Sequence, residues 1–199
     1  MSRKEVILDG AAWLFSEKGF KDASMAELAE MTGVAQGTIF YHFKNKEELF
    51  LAILENIKEE IIREFDRYIR DHEFQNGLDM LEGAISFYLH LAGTMEDRFL
   101  LLHRHDAYSF ARVNPVYREH LEAIYERLLD IFERAIRLGQ EDGSIREVAA
   151  RKAALITFNM IDGLVRLETY GLYSAGALYN ELIDSCRRML QNNDLRNRT

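Results

Sequence analysis

An apolar ladder at a step of four is the feature that most constrains this chain. Leu49, Ile53, Ile57, Ile61, Phe65 and Ile69 follow one another at that step, with Leu54, Ile62 and Tyr68 alongside. This is one face of a long helix. Asn45, with Glu48 three residues on, marks its start, and the polar run Asp71 to Gly77 marks its end. A single proline, Pro115, in 199 residues leaves room for many such helices.

Helical signals fill the rest of the chain. Val6, Ala11, Leu14 and Phe15 share a face of a first helix, expected to end at Gly19, with Trp13 in the core. Ser24 to Glu27 has the form of a capping box, in which each side chain reaches the other's backbone N–H. It opens a short second helix to about Met31. Thr32-Gly33-Val34 reads as a tight break, and a third short helix fits Ala35 to about Tyr41. After the long fourth helix, the spacing predicts helices over about 77–93 and 96–110. Another starts at Asn114-Pro115 and ends at Gly139. The last two fit 147–170 and, capped by Ser174, 175–191. Asn192 to Thr199 is a polar tail expected to fray. No period-two alternation or hairpin dipeptide competes. The expectation is an all-α chain of about nine helices, with an N-terminal three-helix head (1–48) and a C-terminal helical bundle (49–199).

Composition narrows the class. The one cysteine, Cys186, excludes an intrachain disulfide framework and a multi-cysteine zinc site. No run of about 18 apolar residues predicts a membrane span, and the start of the chain has no signal-like apolar region. A soluble, cytoplasmic protein is expected. The net charge of −8 by itself opposes nucleic-acid binding, which needs local positive charge. Distribution matters more: Met31 to Lys46 carries two lysines and no acid.

That acid-free window coincides with a helix-turn-helix candidate, two short helices joined at a glycine. In such a unit the second helix enters the major groove, with its first residues at the base edges. Here it carries Ala35, Gln36, Gly37, Thr38, Ile39, Phe40, Tyr41 and His42. Gln36 has the amide to read an adenine edge, and Thr38 offers a hydroxyl and a methyl group. Tyr41 and His42 can donate to phosphate oxygens, and Gly37 allows close approach of the backbone. Ile39 is expected to turn inward against Leu28 and Val34, and Phe43 to be core. Lys46 is expected to contact phosphate near the start of the fourth helix.

The string Val34-Ala35-Gln36-Gly37-Thr38-Ile39-Phe40-Tyr41-His42-Phe43-Lys44-Asn45-Lys46-Glu47-Glu48-Leu49 resembles the signature of the TetR (tetracycline-repressor-like) family of bacterial transcriptional regulators. Ala11 to Phe20, Ser24 to Ala29 and the helix count match its pattern too. The resemblance implies a homodimer whose two heads grip a palindromic operator in double-stranded DNA. It implies a repressor, not an enzyme, released when a small-molecule effector fills the C-terminal bundle. By position it implies phosphate contact at Ser24, groove contact by Gln36, Gly37, Thr38 and Tyr41, and backbone contact by His42 and Lys46. Phe40 departs from the tyrosine that many members carry, so a hydroxyl contact is missing there.

The C-terminal part supplies a ligand-site composition, apolar and aromatic with a few polar tips. The candidate effector residues are Phe87, Tyr88, Phe99, Leu102, His103, Tyr108, Tyr117, Phe158, Asn159 and Asp162. Plain core is the competing use of the aromatics; exposure or a dimer contact is that of Asn159 and Asp162. Such a lining favours a lipophilic or aromatic effector. In the family the last two long helices form a four-helix bundle across the dimer axis, where Gly163 and the alanines would allow close approach. No cofactor motif is present.

Two other function classes remain open at this level. His103-Arg104-His105-Asp106 contains metal-ligating types, but residues two apart on a helix diverge by about 200°. His103 and His105 therefore cannot share an ion if the segment is helical, whereas His103 and Asp106 could share a face. A helical enzyme would have to work without a P-loop, a dinucleotide fingerprint or an HExxH motif. A sensor that has lost DNA binding is favoured by the net acidity alone.

Overall fold

The computed structural model describes residues 2–192 and is all-α. Among those residues there are ten α-helices and one 3-10 turn. They are α1 (Arg3–Asp22), α2 (Met25–Thr32), α3 (Gln36–His42), α4 (Lys46–Asp71), α5 (Gly77–Thr94), α6 (Glu96–His103), α7 (His105–Val113), α8 (Pro115–Asp142), α9 (Ala150–Thr169) and α10 (Tyr179–Leu190). The expected 96–110 helix is two helices. Arg104 interrupts it in an extended conformation, with φ −68° and ψ 147°. The tail expected to fray lies, from residue 193 on, outside the described residues. At its near end Asn192 donates its N–H to the Ser144 carbonyl at 3.0 Å.

The backbone divides into two compact units. One runs to Ile61 and includes Met95–Ala123; the other holds Ile62–Thr94 and the chain from Ile124 on. The sequence-derived boundary at 48/49 places α6, α7 and the start of α8 with the bundle, whereas they pack in the same unit as the head.

In the first unit the α4 ladder is core as its spacing requires: Leu49, Ile53, Ile57 and Ile61 are buried. Ile7, Ala11, Leu14 and Phe15 of α1 are buried too. Trp13 is a correction: it is 50 % exposed, because its position on α1 points away from that face. Gly19 bends α1 (φ 82°), and the helix resumes to Asp22 instead of stopping there. Its start carries a feature the sequence reading overlooked, a complete capping box between Ser2 and Glu5. At α2 only half of the expected box forms. Ser24 accepts from the Glu27 N–H at 3.1 Å, but the Glu27 carboxylate pairs with Lys18. Asn45 does cap α4, accepting from the Glu48 N–H at 2.7 Å.

In the second unit α5, α8, α9 and α10 bury Leu81, Ile85, Phe132, Ile136, Ile161 and Cys186. Ser174 makes no cap there; the 3-10 turn Gly176–Leu178 precedes α10, and neither start has a side-chain cap. Burial, with Glu82 nearby, pushes the Cys186 thiol up to about 11, so it is a small apolar residue rather than a nucleophile.

Candidate DNA-binding surface and effector residues

The head assembles its surface from a tight turn. Gly33 closes α2 in the left-handed region, φ 67°, a conformation a Cβ would strain. The turn sets α3 so that Ile39 is fully buried, and Phe43 behind it is 3 % exposed. What is left outward is the expected set. Ala35, Gln36 and Gly37 are exposed, Thr38 and His42 are half-buried, and Tyr41 is 84 % exposed. Ala35 makes no side-chain cap, so the first N–H groups of α3 have no side-chain acceptor. Gly37 has negative φ, and a Cβ built on it would meet nothing within 4 Å. No contact within the chain therefore requires glycine there, although glycine in a helix costs about 1 kcal/mol relative to alanine.

Ser24 is exposed at the start of α2, and accepting from Glu27 leaves its O–H free to donate outward. Lys46 departs from its expected role. Its ammonium is turned inward, donating to the carbonyls of Lys21 (3.2 Å) and Ala23 (2.9 Å), 4.5 Å from the centre of the Phe20 ring. The carbonyls left open where α1 ends attract this cation. Lys44, in contrast, is exposed.

The histidine motif resolves into ties onto α1. Arg104 donates from Nη1 to the Ser16 carbonyl at 2.7 Å, and Asp106 accepts from the Phe20 N–H at 3.0 Å. His103 is buried in α6; His105 is exposed and within 2.7 Å of the Ser109 hydroxyl. His103 and Asp106 do not share a helix face, since the helix breaks between them. Among the described residues no group of three or more histidine, cysteine or acidic side chains is placed to hold a metal.

One residue that sequence reasoning missed outweighs these. Arg98 of α6 reaches Asp9 of α1, Glu60 of α4 and its neighbour Asp97, each at 2.9 Å. Burial lowers its pKa, but Asp97 and Glu60 more than offset this, so it stays above its ordinary value. Only its arginine-with-acids chemistry could have signalled it, and that is common on any surface. Beside these ties lies an aromatic cluster in which Phe15, Phe20, Phe50, Phe110 and Tyr117 meet at centroid distances of 4.6–5.8 Å.

The candidate effector residues divide between the two units. In the first, Phe99, Leu102 and His103 are buried along α6, and Tyr108 is half-buried on α7. Tyr117 is spoken for: its hydroxyl donates to the Glu47 carbonyl at 2.6 Å, and burial, with Glu47 nearby, pushes its pKa up to about 12. In the second unit the Tyr88 hydroxyl donates to buried Asp162 at 2.6 Å, and Phe158 packs edge-on to Tyr88 at 5.4 Å. Phe87 stacks on Tyr68 at 4.2 Å. Asn159 departs from this group. It is exposed, and its amide donates back to the Leu155 carbonyl at 2.8 Å.

Two short helices at a glycine turn, with the second outward at its start, form a helix-turn-helix unit. Residues 7–53 match the family model for bacterial regulatory proteins, tetR family. The chain is 26 % identical over 127 residues to IcaR of Staphylococcus epidermidis, an HTH-type negative transcriptional regulator of the biofilm operon icaADBC. That alignment covers 64 % of this chain and 65 % of IcaR, slightly under two thirds of the relative's length. Two solved structures share the fold over nearly their full length. A Saccharomonospora viridis protein in complex with choline has a TM-score of 0.82 at 23 % identity, covering 94 % of this chain and 97 % of that one. FadR of Bacillus subtilis in complex with stearoyl-CoA has a TM-score of 0.73 at 24 % identity, covering 90 % and 95 %. Over its N-terminal residues 7–53 the chain is thus of the tetR type, a family whose members are transcriptional regulators and not enzymes.

Proposed function

We propose that this protein is a cytoplasmic repressor that binds a palindromic operator as a homodimer and is released by a lipophilic or aromatic small molecule. The observation that carries the reading is Gly37. Nothing in the chain lies over its Cα, so a surface outside the chain can approach the α3 backbone closely there. Base edges and phosphates at the bottom of a groove are such a surface. Ala35, Gln36, Thr38 and Tyr41 then face the groove, while Ser24 and His42 hold the backbone. Lys46 positions the start of α4, and exposed Lys44 takes over its expected phosphate contact.

Dimerisation is supported by what α9 leaves uncovered. Leu155, Ile156 and Leu167 are 37–53 % exposed, and exposed Tyr170, Leu172, Tyr173 and Leu178 follow beyond the helix. Exposed apolar side chains on one helix face favour association, and a two-fold interface would pair that face with itself. Gly163 lies in the same helix with open space above its Cα.

The effector residues in this reading are Phe87, Tyr88, Phe158 and Asp162 in one unit and Phe99, Leu102, His103 and Tyr108 in the other. The stearoyl-CoA complex of the Bacillus subtilis structure supports a lipophilic effector, and the choline complex supports the presence of a small-molecule site in this fold. Arg98, Arg104 and Asp106 would carry a shift of α6 and α7 to α1. A test pairs Tyr41→Ala with Leu167→Glu in gel-shift and sedimentation assays. Tyr41→Ala is expected to weaken DNA binding and stay dimeric; Leu167→Glu is expected to become monomeric. DNA binding by Tyr41→Ala equal to the parent's would overturn the docking geometry.

A further inference from the structure

Along one side of the second unit runs a groove of about 590 Å³, lined by Asp66, Ile69 and Arg70 of α4, Met80 of α5, and Arg127, Asp130, Ile131 and Arg134 of α8. Its size is that of a small-molecule site. Its floor is apolar, with Met80 and Ile131 buried at 4 % and 7 % exposure. None of these residues belongs to the proposed effector or DNA-binding sets.

The arginines decide what would bind. Asp66 stands four residues before Arg70, and Asp130 four before Arg134. Acid-before-base at that spacing is the favourable orientation for a helix ion pair, yet neither pair forms. Asp66 is taken by Arg127 at 2.8 Å, and Asp130 by Arg151 at 2.9 Å. Other nearby acids are engaged as well: Glu126 pairs with Arg151, and Glu133 with Arg137 and Arg151. Arg70 and Arg134 form no ion pair among the described residues, and both are exposed on the groove. The acid four residues before each of them is held by another arginine.

We propose that this groove binds an amphipathic anion, a carboxylate or phosphate carried on a short apolar chain, with Arg70 and Arg134 closing on the head and Ile69, Met80 and Ile131 on the chain. Two guanidiniums from different helices suit the planar, multiply accepting oxygens of such a head group. This site is separate from the effector reading and does not depend on it.

Calorimetry on the full chain with octyl phosphate tests it, alongside octanol, inorganic phosphate and phosphatidylglycerol vesicles. Octyl phosphate is expected to bind, and Arg70→Gln/Arg134→Gln to weaken it at least tenfold, while Arg63→Gln leaves it unchanged. Both substitutions are at exposed positions, and an unchanged melting temperature would show that the fold is intact. Equal affinity for octanol, or no loss in the double variant, would overturn the proposal. Inorganic phosphate binding as tightly as octyl phosphate would overturn the role of the apolar floor. Binding to vesicles alone would overturn the soluble-ligand source. Operator binding, measured separately, reports on the repressor reading independently of all these results.

Discussion

The helices α6 and α7 of the first unit and the ring cluster of the second are each held in place by different chemistry. Around the head, α6 and α7 are fastened to α1 by directed polar bonds: Arg98 to Asp9, Arg104 to the Ser16 carbonyl, and Asp106 to the Phe20 N–H. In the second unit the polar ties of this kind lie at the rim, Arg187 with Glu82 and Asp142 with the Gly77 N–H, whereas the inner group of Phe65, Phe132 and Phe158 is apolar but for Tyr88 donating to buried Asp162. Apolar packing has no preferred direction and tolerates small slides. A hydrogen bond weakens steeply when its angle changes. A shift of α6 by a fraction of a helical turn would therefore be felt at α1 as bonds broken, whereas an equal shift among the rings would be absorbed.

The contrast can be broken at several strengths. Phe50→Ala removes the ring shared by Phe15, Phe20, Phe110 and Tyr117 and should destabilise the protein by about 3–5 kcal/mol in denaturant melts. Phe158→Ala should cost a similar amount; a much smaller cost would show that the second unit is loosely packed. Arg98→Ala leaves Asp9 and Glu60 without their cation. It should cost about 1–3 kcal/mol, a loss that a double-mutant cycle with Glu60→Gln separates into its pairs. Tyr88→Phe strips the buried donor from Asp162 and should cost about 1–3 kcal/mol in the same assay.

Tyr117 gives a prediction in pH. Its folded pKa, about 12, lies above the ordinary value of 10, so the folded state keeps the phenol proton that the unfolded state releases first. Its contribution is fully present below pH 10 and declines as pH rises from about 10 to about 12. Tyr117→Phe should lack that decline when stability is followed across the range. Tyr41→Ala is the smallest change in stability, within about 0.5 kcal/mol, because the side chain is 84 % exposed.

The same contrast governs what could be read from sequence. The ladder Leu49 to Phe65, the Gly33 turn, inward Ile39 and outward Gln36 and Tyr41 follow from local periodicity and backbone geometry, which neighbouring residues determine. The polar ties depend on partners far along the chain. Nothing around Arg104 announces a helix break, since neither glycine nor proline is near, and the bond to Ser16 is 88 residues away in sequence. Lys46 could not be known to turn inward without the end of α1 beside it. Trp13 shows that an apolar side chain is not evidence of burial. Asn159 shows that a polar residue on a mostly apolar helix can simply face outward.

The central claim is that α3 reads a particular DNA sequence. The most direct measurement is selection by the purified full chain from sheared genomic DNA of its own source at moderate salt. The account predicts recovery of a palindromic site, weakened in the Tyr41→Ala variant and falling with salt by about 0.9 in log affinity per tenfold salt for each phosphate contact. Recovery of random fragments alone, by a folded dimer free of bound small molecule, would contradict it.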